Sequence, residues 1–101
     1  MTDLGLDPTS KEAVSARLEL TRDALGLSGR EFAGAAGIGD STYSNYKKAK
    51  RRPEIDHALR LCDRFELTLD WIYRGDPSGL KYGLAQKIND LRQQSNSAKK
   101  K

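Results

Sequence analysis

The fold of this chain depends above all on residues 27–53, which read LSGREFAGAAGIGDSTYSNYKKAKRRP. Ser28, with Glu31 three residues later, has the spacing of a capping box and predicts the start of a short helix. Gly37 predicts the end of that helix and a sharp turn, because glycine adopts a positive φ at little cost. Another short helix is predicted over about 40–48. The stretch therefore predicts two short helices that meet at a tight turn.

The second of these helices has an inner and an outer face. Tyr43 and Tyr46 are three residues apart and are predicted to face the core. Ala33, four residues before Gly37, is small enough to let the two helices cross closely. The outer face carries short polar side chains that can hydrogen-bond to base edges in the major groove of DNA. These candidate base-contacting residues are Asp40, Ser41, Ser44 and Asn45.

A basic cluster follows the second helix directly, with five cations among residues 47–52. Such a run is usually a solvated surface. Here it comes at the end of a helix with a projecting polar face, which favours contact with the phosphate backbone. The cluster consists of Lys47, Lys48, Lys50, Arg51 and Arg52.

The rest of the chain also predicts helices. Thr9 and Glu12 match a capping box for a first helix that runs to about Leu25. A fourth helix is predicted over 54–65, and Asp70 is placed to cap a short fifth helix. On the fourth helix the apolar side comprises Ile55, Leu59 and Cys62, with Ala58, Leu61 and Phe65 adjoining. The sequence shows no strand pattern and no internal repeat, so the fold class is all-α.

The predicted organisation is one DNA-binding domain over residues 10–76, with a flexible segment at 1–9. A dense turn signal at 75–79 separates the domain from a C-terminal helix at 77–94. The tail at 95–101 is polar and basic and is predicted to be disordered.

The C-terminal helix carries a narrow apolar stripe at spacings of four, four and three residues. Its members are Leu80, Leu84, Ile88 and Leu91. The stripe packs either on its own domain or on its copy in a second subunit. The width suits a coiled-coil-like seam, which favours dimerisation.

These residues together resemble the Cro and lambda-repressor type of helix-turn-helix regulators, also called the XRE family, over about residues 14–75. The motifs at the family's spacing are GLS at 26–28, EFA at 31–33, GI at 37–38, STY at 41–43, KRRP at 50–53 and DWIYRGD at 70–76.

The resemblance implies a five-helix DNA-binding domain, here with an additional C-terminal helix. It also implies base contacts by the four polar residues of the third helix and phosphate contacts by the start of the second helix and the basic cluster. The expected phosphate-contacting residues are Arg30, Thr42, Lys47, Lys48, Lys50, Arg51 and Arg52.

Composition narrows the class of protein further. The chain has 101 residues, 37% hydrophobic and 32% charged, with a formal net charge of +4, which suits one small domain with a charged surface. Cys62 is the single cysteine, so no intrachain disulfide forms, as is typical of the reducing cytosol. Residues 1–8 do not resemble a signal peptide, and no run reaches the roughly 20 apolar residues of a membrane span. A cytoplasmic protein, nucleoid-associated when bound to DNA and without membrane contact, is expected.

The sequence contains no motif of a catalytic, cofactor or metal site. His57 is the single histidine, is interpreted as a helix-surface residue, and has no second ligand at metal-binding spacing. No nucleophile elbow and no phosphate-binding glycine loop occur. We therefore expect neither an enzyme nor a cofactor.

The expected function is sequence-specific binding of double-stranded DNA by a transcriptional regulator, with repression by occlusion as the simpler outcome. A homodimer on a palindromic operator holds its two recognition helices about 34 Å apart. The alternative is a protein-interaction module, such as an antitoxin or antiactivator, built on the same fold. Gly29, where the family typically has glutamine, and the anionic Asp40 motivate this alternative. The two functions are distinguished by whether the 41–45 face, Arg51 and Arg52 are needed for DNA binding, as the regulator requires.

Overall fold

The computed structural model describes residues 7–99, with side chains over 7–94. These residues form an all-α fold without strands, as the sequence predicted. The elements are α1 (Lys11–Ala24), α2 (Gly29–Ala35), α3 (Asp40–Lys47), α4 (Ile55–Phe65), a π-helical turn (Asp70–Arg74) and α5 (Tyr82–Lys99). Within the described range, no helix is long and apolar enough to cross a membrane.

The first helix begins at Lys11, and its N-cap lies one residue later than predicted. Ser10, not Thr9, is the N-cap, and its hydroxyl accepts a hydrogen bond from the Ala13 amide at 3.1 Å. The amide and hydroxyl of Thr9 instead donate to Asp7 Oδ1 at 2.8 and 2.7 Å. The predicted pairing of Thr9 with Glu12 is wrong, because the amide and hydroxyl of Thr9 are engaged in a local turn with the side chain of Asp7.

The core joins α1, α2, α3, α4 and the π-helical turn around aromatic side chains. Phe32 is fully buried between the ring of Tyr43, in edge contact at 5.9 Å, and the stacked ring of Phe65 at 5.1 Å. Trp71 in the π-helical turn is 1% exposed, and its indole N–H donates to the Thr21 hydroxyl on α1 at 2.9 Å. Helices α2 and α3 are thereby packed on a common aromatic core.

The π-helical turn is capped differently from the prediction. Asp70 is the first residue of the turn and Leu69 is its N-cap, while the hydroxyl of Thr68, one residue earlier, accepts from the Trp71 amide at 3.0 Å. Below the turn, the buried Arg17 donates to the carbonyl oxygens of Trp71 and Ile72 at 2.9 and 3.0 Å. The guanidinium thus satisfies carbonyls at the end of the turn and ties it to α1.

The buried face of α4 is rotated from the predicted one. Ala58 and Leu61 are fully buried, whereas Ile55 is 52% and Leu59 is 44% exposed. Because helical residues turn by about 100° each, a face centred on Ala58, Leu61 and Phe65 leaves Ile55 and Leu59 at its edge. The sequence centred the apolar side on Ile55, Leu59 and Cys62, whereas the buried face is centred on the residues predicted to adjoin them.

The C-terminal stripe packs on its own chain, against α1. Leu80 and Ile88 are buried, and Leu84 and Leu91 are partly buried against the same core. The first of the two arrangements considered from the sequence is therefore present in the single chain, and the dimer seam stays a prediction.

The outer boundaries also differ from the predicted ones. Helix α5 begins at Tyr82 and continues to Lys99, past the predicted end at residue 94, because extending a formed helix costs far less than nucleating one. At the other end, Pro8 O accepts a hydrogen bond from Arg17 at 2.6 Å. The remaining parts of the predicted flexible segment and disordered tail, residues 1–6 and 100–101, lie outside the described residues.

Candidate nucleic-acid interface

The turn between α2 and α3 has the predicted local chemistry. Ser28 and Glu31 form a reciprocal capping box, in which the Glu31 amide donates to Ser28 Oγ at 3.1 Å and the Ser28 amide donates to Glu31 Oε1 at 2.8 Å. Gly37 has φ +70°, and the Ile38 amide beyond it donates back to the carbonyl of Ala33 at 2.9 Å. The positive φ reverses the chain within three residues, so α3 crosses α2 with its outer face projecting.

Tyr43 fixes α3 to α1 from behind. The side chain is buried, as predicted, and its hydroxyl donates to Glu19 Oε2 at 2.6 Å. Arg22 holds the other carboxylate oxygen of Glu19 at 3.2 Å. Burial, and then the hydrogen bond to Glu19, raise the pKa of Tyr43 well above its usual range, so the hydroxyl stays a donor.

Tyr46 fixes the same helix to α4. It is 1% exposed, and its hydroxyl lies 2.7 Å from His57 Nδ1 and accepts from the Glu54 amide at 3.3 Å. With the imidazole proton on Nε2, the tyrosine hydroxyl donates to Nδ1. The interpretation of His57 as a plain surface residue is wrong, because it is half-buried and hydrogen-bonded to Tyr46 of α3.

The outer face of α3 leaves the candidate base-contacting side chains accessible. Asp40 and Ser41 are exposed, and Ser44 and Asn45 are partly exposed. Asp40 Oδ2 lies 3.4 Å from Arg30 Nη2, so the structure pairs a candidate base contact with a candidate phosphate contact. Both side chains are more than 60% exposed, and such a pair stabilises the fold little.

An open cleft of about 270 Å³ lies between the start of α2 and α3. A Cβ at Gly29 would lie 3.5 Å from the Tyr43 ring, an ordinary van der Waals contact. The cleft connects two candidate base-contacting residues with Lys47, the first cation of the cluster. Its lining residues are Gly29, Arg30, Asp40, Tyr43, Ser44 and Lys47.

The basic cluster begins where α3 ends and is exposed along its length. Ala49 has φ +59°, and the Lys50 amide donates back to the carbonyl of Asn45 at 2.9 Å. This left-handed residue ends the helix and turns the chain away from it. Ser15 on α1 donates to the carbonyl of Lys47 at 2.8 Å, which fixes the start of the cluster.

The cations of the cluster differ in what they contact. The Arg51 guanidinium lies over the Tyr46 ring at 5.7 Å, and Arg52 donates to the Thr9 carbonyl. The three lysines are exposed and show no ion pair within residues 7–94. The cluster therefore presents two arginines that contact their own chain and three exposed, long lysine side chains on one surface.

Sequence reasoning missed the residues that hold α3 from behind. Ser15 and Glu19 lie four residues apart on α1, beside its apolar face, so a polar pair at helical spacing is a signal that they face a partner. His57 follows the cluster with no local signal for its contact to Tyr46. Tyr46 and His57 are 11 residues apart in the sequence and come into contact only in the folded chain.

Comparison with known families agrees with this geometry. Residues 18–72, slightly more than half of the chain, match the model of a helix-turn-helix family. Comparison with curated proteins and with solved structures finds no match. The matched residues contain α2, the Gly37 turn, α3 and both tyrosine anchors, and the chain therefore belongs to the helix-turn-helix family of DNA-binding regulators of the Cro and lambda-repressor type.

Proposed function

We propose that this protein recognises a specific double-stranded DNA site by inserting α3 into the major groove. The observation that carries the proposal is the contrast between the two faces of α3. Its inner tyrosines are buried and hydrogen-bonded to α1 and α4, whereas its outer edge is polar and accessible. A helix held on one side and free on the other can enter the groove without rearrangement.

Base reading is assigned to Asp40, Ser41, Ser44 and Asn45. Asn45 is the strongest candidate for a bidentate contact, since an amide both donates to and accepts from adenine. Asp40 only accepts hydrogen bonds while ionised, so it favours cytosine or adenine amino groups and opposes guanine and thymine acceptors at the same place.

Phosphate binding is assigned to the basic cluster, to Arg30 at the start of α2 and to Thr42 in the first turn of α3. Each cation that neutralises a phosphate releases condensed counterions, so affinity falls steeply as salt rises. These contacts position the protein and contribute to binding of any sequence.

The regulatory consequence proposed is repression. Two copies on a palindromic operator present two α3 helices to successive major grooves, about 34 Å apart. A complex of that size on a promoter competes with polymerase for the same DNA.

The test begins with selection from a pool of random 30-bp duplexes, followed by fluorescence anisotropy on the selected DNA and a scrambled duplex at several salt concentrations. Replacing Asn45 with alanine is expected to weaken binding to the selected DNA by about 1–3 kcal/mol and to relax preference at one base pair. Asn89, an exposed asparagine on α5, provides the matched control, and Asn89→Ala is expected to bind as wild type. Equal losses on selected and scrambled DNA would contradict base reading by Asn45.

The second candidate function is a protein-interaction module. The ion pair between Arg30 and Asp40 supports it, because the pair neutralises one cation of the expected DNA surface. Selection that enriches no sequence, together with binding that is weak and equal on all duplexes, would favour this second function.

A further inference from the structure

Helix α4 carries an apolar row that its own domain leaves partly uncovered. Ile55 and Leu59 are 52% and 44% exposed, and Cys62, next on the same side of the helix, is half-buried. Within the described residues the exposed large hydrophobic side chains are Ile55, Leu59 and Tyr82, so two of these three lie on this row. We call the row of Ile55, Leu59 and Cys62 the α4 strip.

The stripe of α5 is engaged inside the chain and is a poor alternative seam. Ile88 is 2% and Leu80 is 8% exposed. Pairing α5 with a second copy through these side chains would require the helix to leave α1 and open the core. A second copy that joins without opening the core needs another apolar surface.

We propose that the α4 strip is the surface on which a second copy of this chain docks, with the two α4 helices antiparallel. A two-fold axis perpendicular to α4 near residue 57 sets Ile55 of each copy against the partner's Leu59. Such a contact is isologous and closes after two copies. This inference rests on the proposed function, because a palindromic site requires two copies with related orientations.

Charge favours the antiparallel direction. The basic cluster precedes the start of α4, whereas Asp63 lies near its end on the exposed side. None of the three ion pairs within residues 7–94 uses Asp56 or Asp63, so both carboxylates are available to a partner. Antiparallel helices bring Asp63 of one copy towards the cluster of the other, whereas parallel helices oppose cluster to cluster.

The size of the strip indicates a weak contact that DNA strengthens. Two half-exposed aliphatic side chains cover far less than the about 800 Å² per partner of a standard stable interface. Two copies held on adjacent half-sites experience an effective concentration on the order of millimolar, at which a weak contact suffices. The strip begins three residues after Arg52, at the border of the proposed DNA surface, which suits contact between neighbouring half-sites.

The first experiment measures cooperativity on the DNA obtained by selection. Wild-type protein is expected to bind a two-half-site duplex as two copies with a Hill coefficient of about 2. Fluorescence anisotropy measures the binding curve, and sedimentation measures the number of copies bound. The double variant Ile55→Ser with Leu59→Ser is expected to lose about tenfold in affinity on this duplex and to keep its affinity for a single half-site. Because both side chains are half-exposed, thermal melting is expected to show a folded variant.

Tyr82→Ser provides the matched control, since Tyr82 is 81% exposed on α5 and lies outside the strip. It is expected to retain cooperativity. Cooperative binding by the strip variant, or its loss in the Tyr82 variant alone, would overturn the proposal. Binding of wild type as a single copy would do the same and would leave DNA recognition by α3 standing.

The second experiment tests the contact without DNA. Burial, with the charge of Asp63 adding to it, raises the pKa of Cys62 and makes its thiol a poor probe, so it is replaced by alanine. Two such proteins, one with Ile55→Cys and one with Leu59→Cys, are mixed at high concentration with a short bismaleimide. Mixed dimers are expected to exceed homodimers, because antiparallel helices oppose unlike positions. No crosslinking above that of an Asp90→Cys control would overturn the α4 contact, and homodimers alone would overturn its direction, whether or not selection finds a DNA site.

Discussion

Replacing Tyr43 with phenylalanine removes the hydroxyl that ties α3, the proposed recognition helix, to α1. The lost hydrogen bond is 2.6 Å long and joins a side chain that is 5% exposed to the carboxylate of Glu19. Hydrogen bonds to charged groups contribute about 1.5–3 kcal/mol. Glu19 retains Arg22 at 3.2 Å and is partly exposed to water, so the carboxylate is not left unpaired and the lower part of that range applies. We expect a loss of about 1.5–2 kcal/mol of the free energy of unfolding at pH 7.

The same variant has a predicted dependence on pH. Because the pKa of Tyr43 is raised in the folded protein, the folded state holds this proton more tightly than the unfolded chain. The stabilisation is therefore complete below the ordinary tyrosine pKa of about 10 and declines as the pH rises above it. Tyr73, whose pKa burial also raises, contributes in the same direction in both proteins. The difference between wild type and Tyr43→Phe is expected to shrink above about pH 10.

Urea unfolding followed by circular dichroism at several pH values between 7 and 11 measures both effects. Tyr82→Phe is the matched control, because Tyr82 is 81% exposed and its hydroxyl has no hydrogen bond within residues 7–94. If Tyr43→Phe unfolds at the same urea concentration as this control, the hydroxyl bond to Glu19 does not stabilise α3 and the reasoning fails. If the difference in free energy of unfolding between wild type and Tyr43→Phe stays constant up to about pH 11, the predicted pH dependence is refuted, while the hydrogen bond to Glu19 is not.

Four further predictions concern the DNA surface and the fold. Arg52→Ala should weaken binding to all duplexes similarly and reduce the slope of log affinity against log salt by about one unit; an unchanged slope removes Arg52 from the phosphate contacts. Asp40→Asn should admit guanine or thymine at one base pair in a repeated selection, because an amide also donates, and an identical selected motif would contradict its contact. Ala49→Gly should raise the free energy of unfolding by about 1 kcal/mol, measured by urea unfolding, since Ala49 has φ +59°; a loss of stability would show that its methyl group packs usefully. Ile88→Ala should cost about 2–5 kcal/mol at every protein concentration, because the side chain is buried in its own chain, whereas a loss that depends on concentration would move Ile88 to a dimer seam.

The local elements of the interface followed from the sequence. The capping box of Ser28 and Glu31 and the turn at Gly37 involve residues within three to five positions of one another. Backbone geometry brings such residues together whatever the rest of the chain does. The inner position of Tyr43 and Tyr46 followed from the helical period in the same way.

The residues that hold the interface in place are a matter of tertiary structure. Glu19 bonds to Tyr43 across 24 positions and His57 to Tyr46 across 11, and no local spacing encodes either pair. Both bonds depend on how α1 and α4 pack against α3. These contacts fix the position of α3 against α1 and α4, which its own sequence does not show.

The sequence by itself determined that the chain is all-α, that two short helices meet at a glycine turn, and which face of α3 points outward. It could not determine which edge of each amphipathic helix is covered. Ile55, Leu59, Leu80 and Ile88 are similar apolar side chains at helical spacing, yet the first two are exposed and the last two are buried. Periodicity defines the apolar face of a helix only to within about a third of a turn. Long-range packing positions the neighbouring helices, and these determine which part of that face is buried.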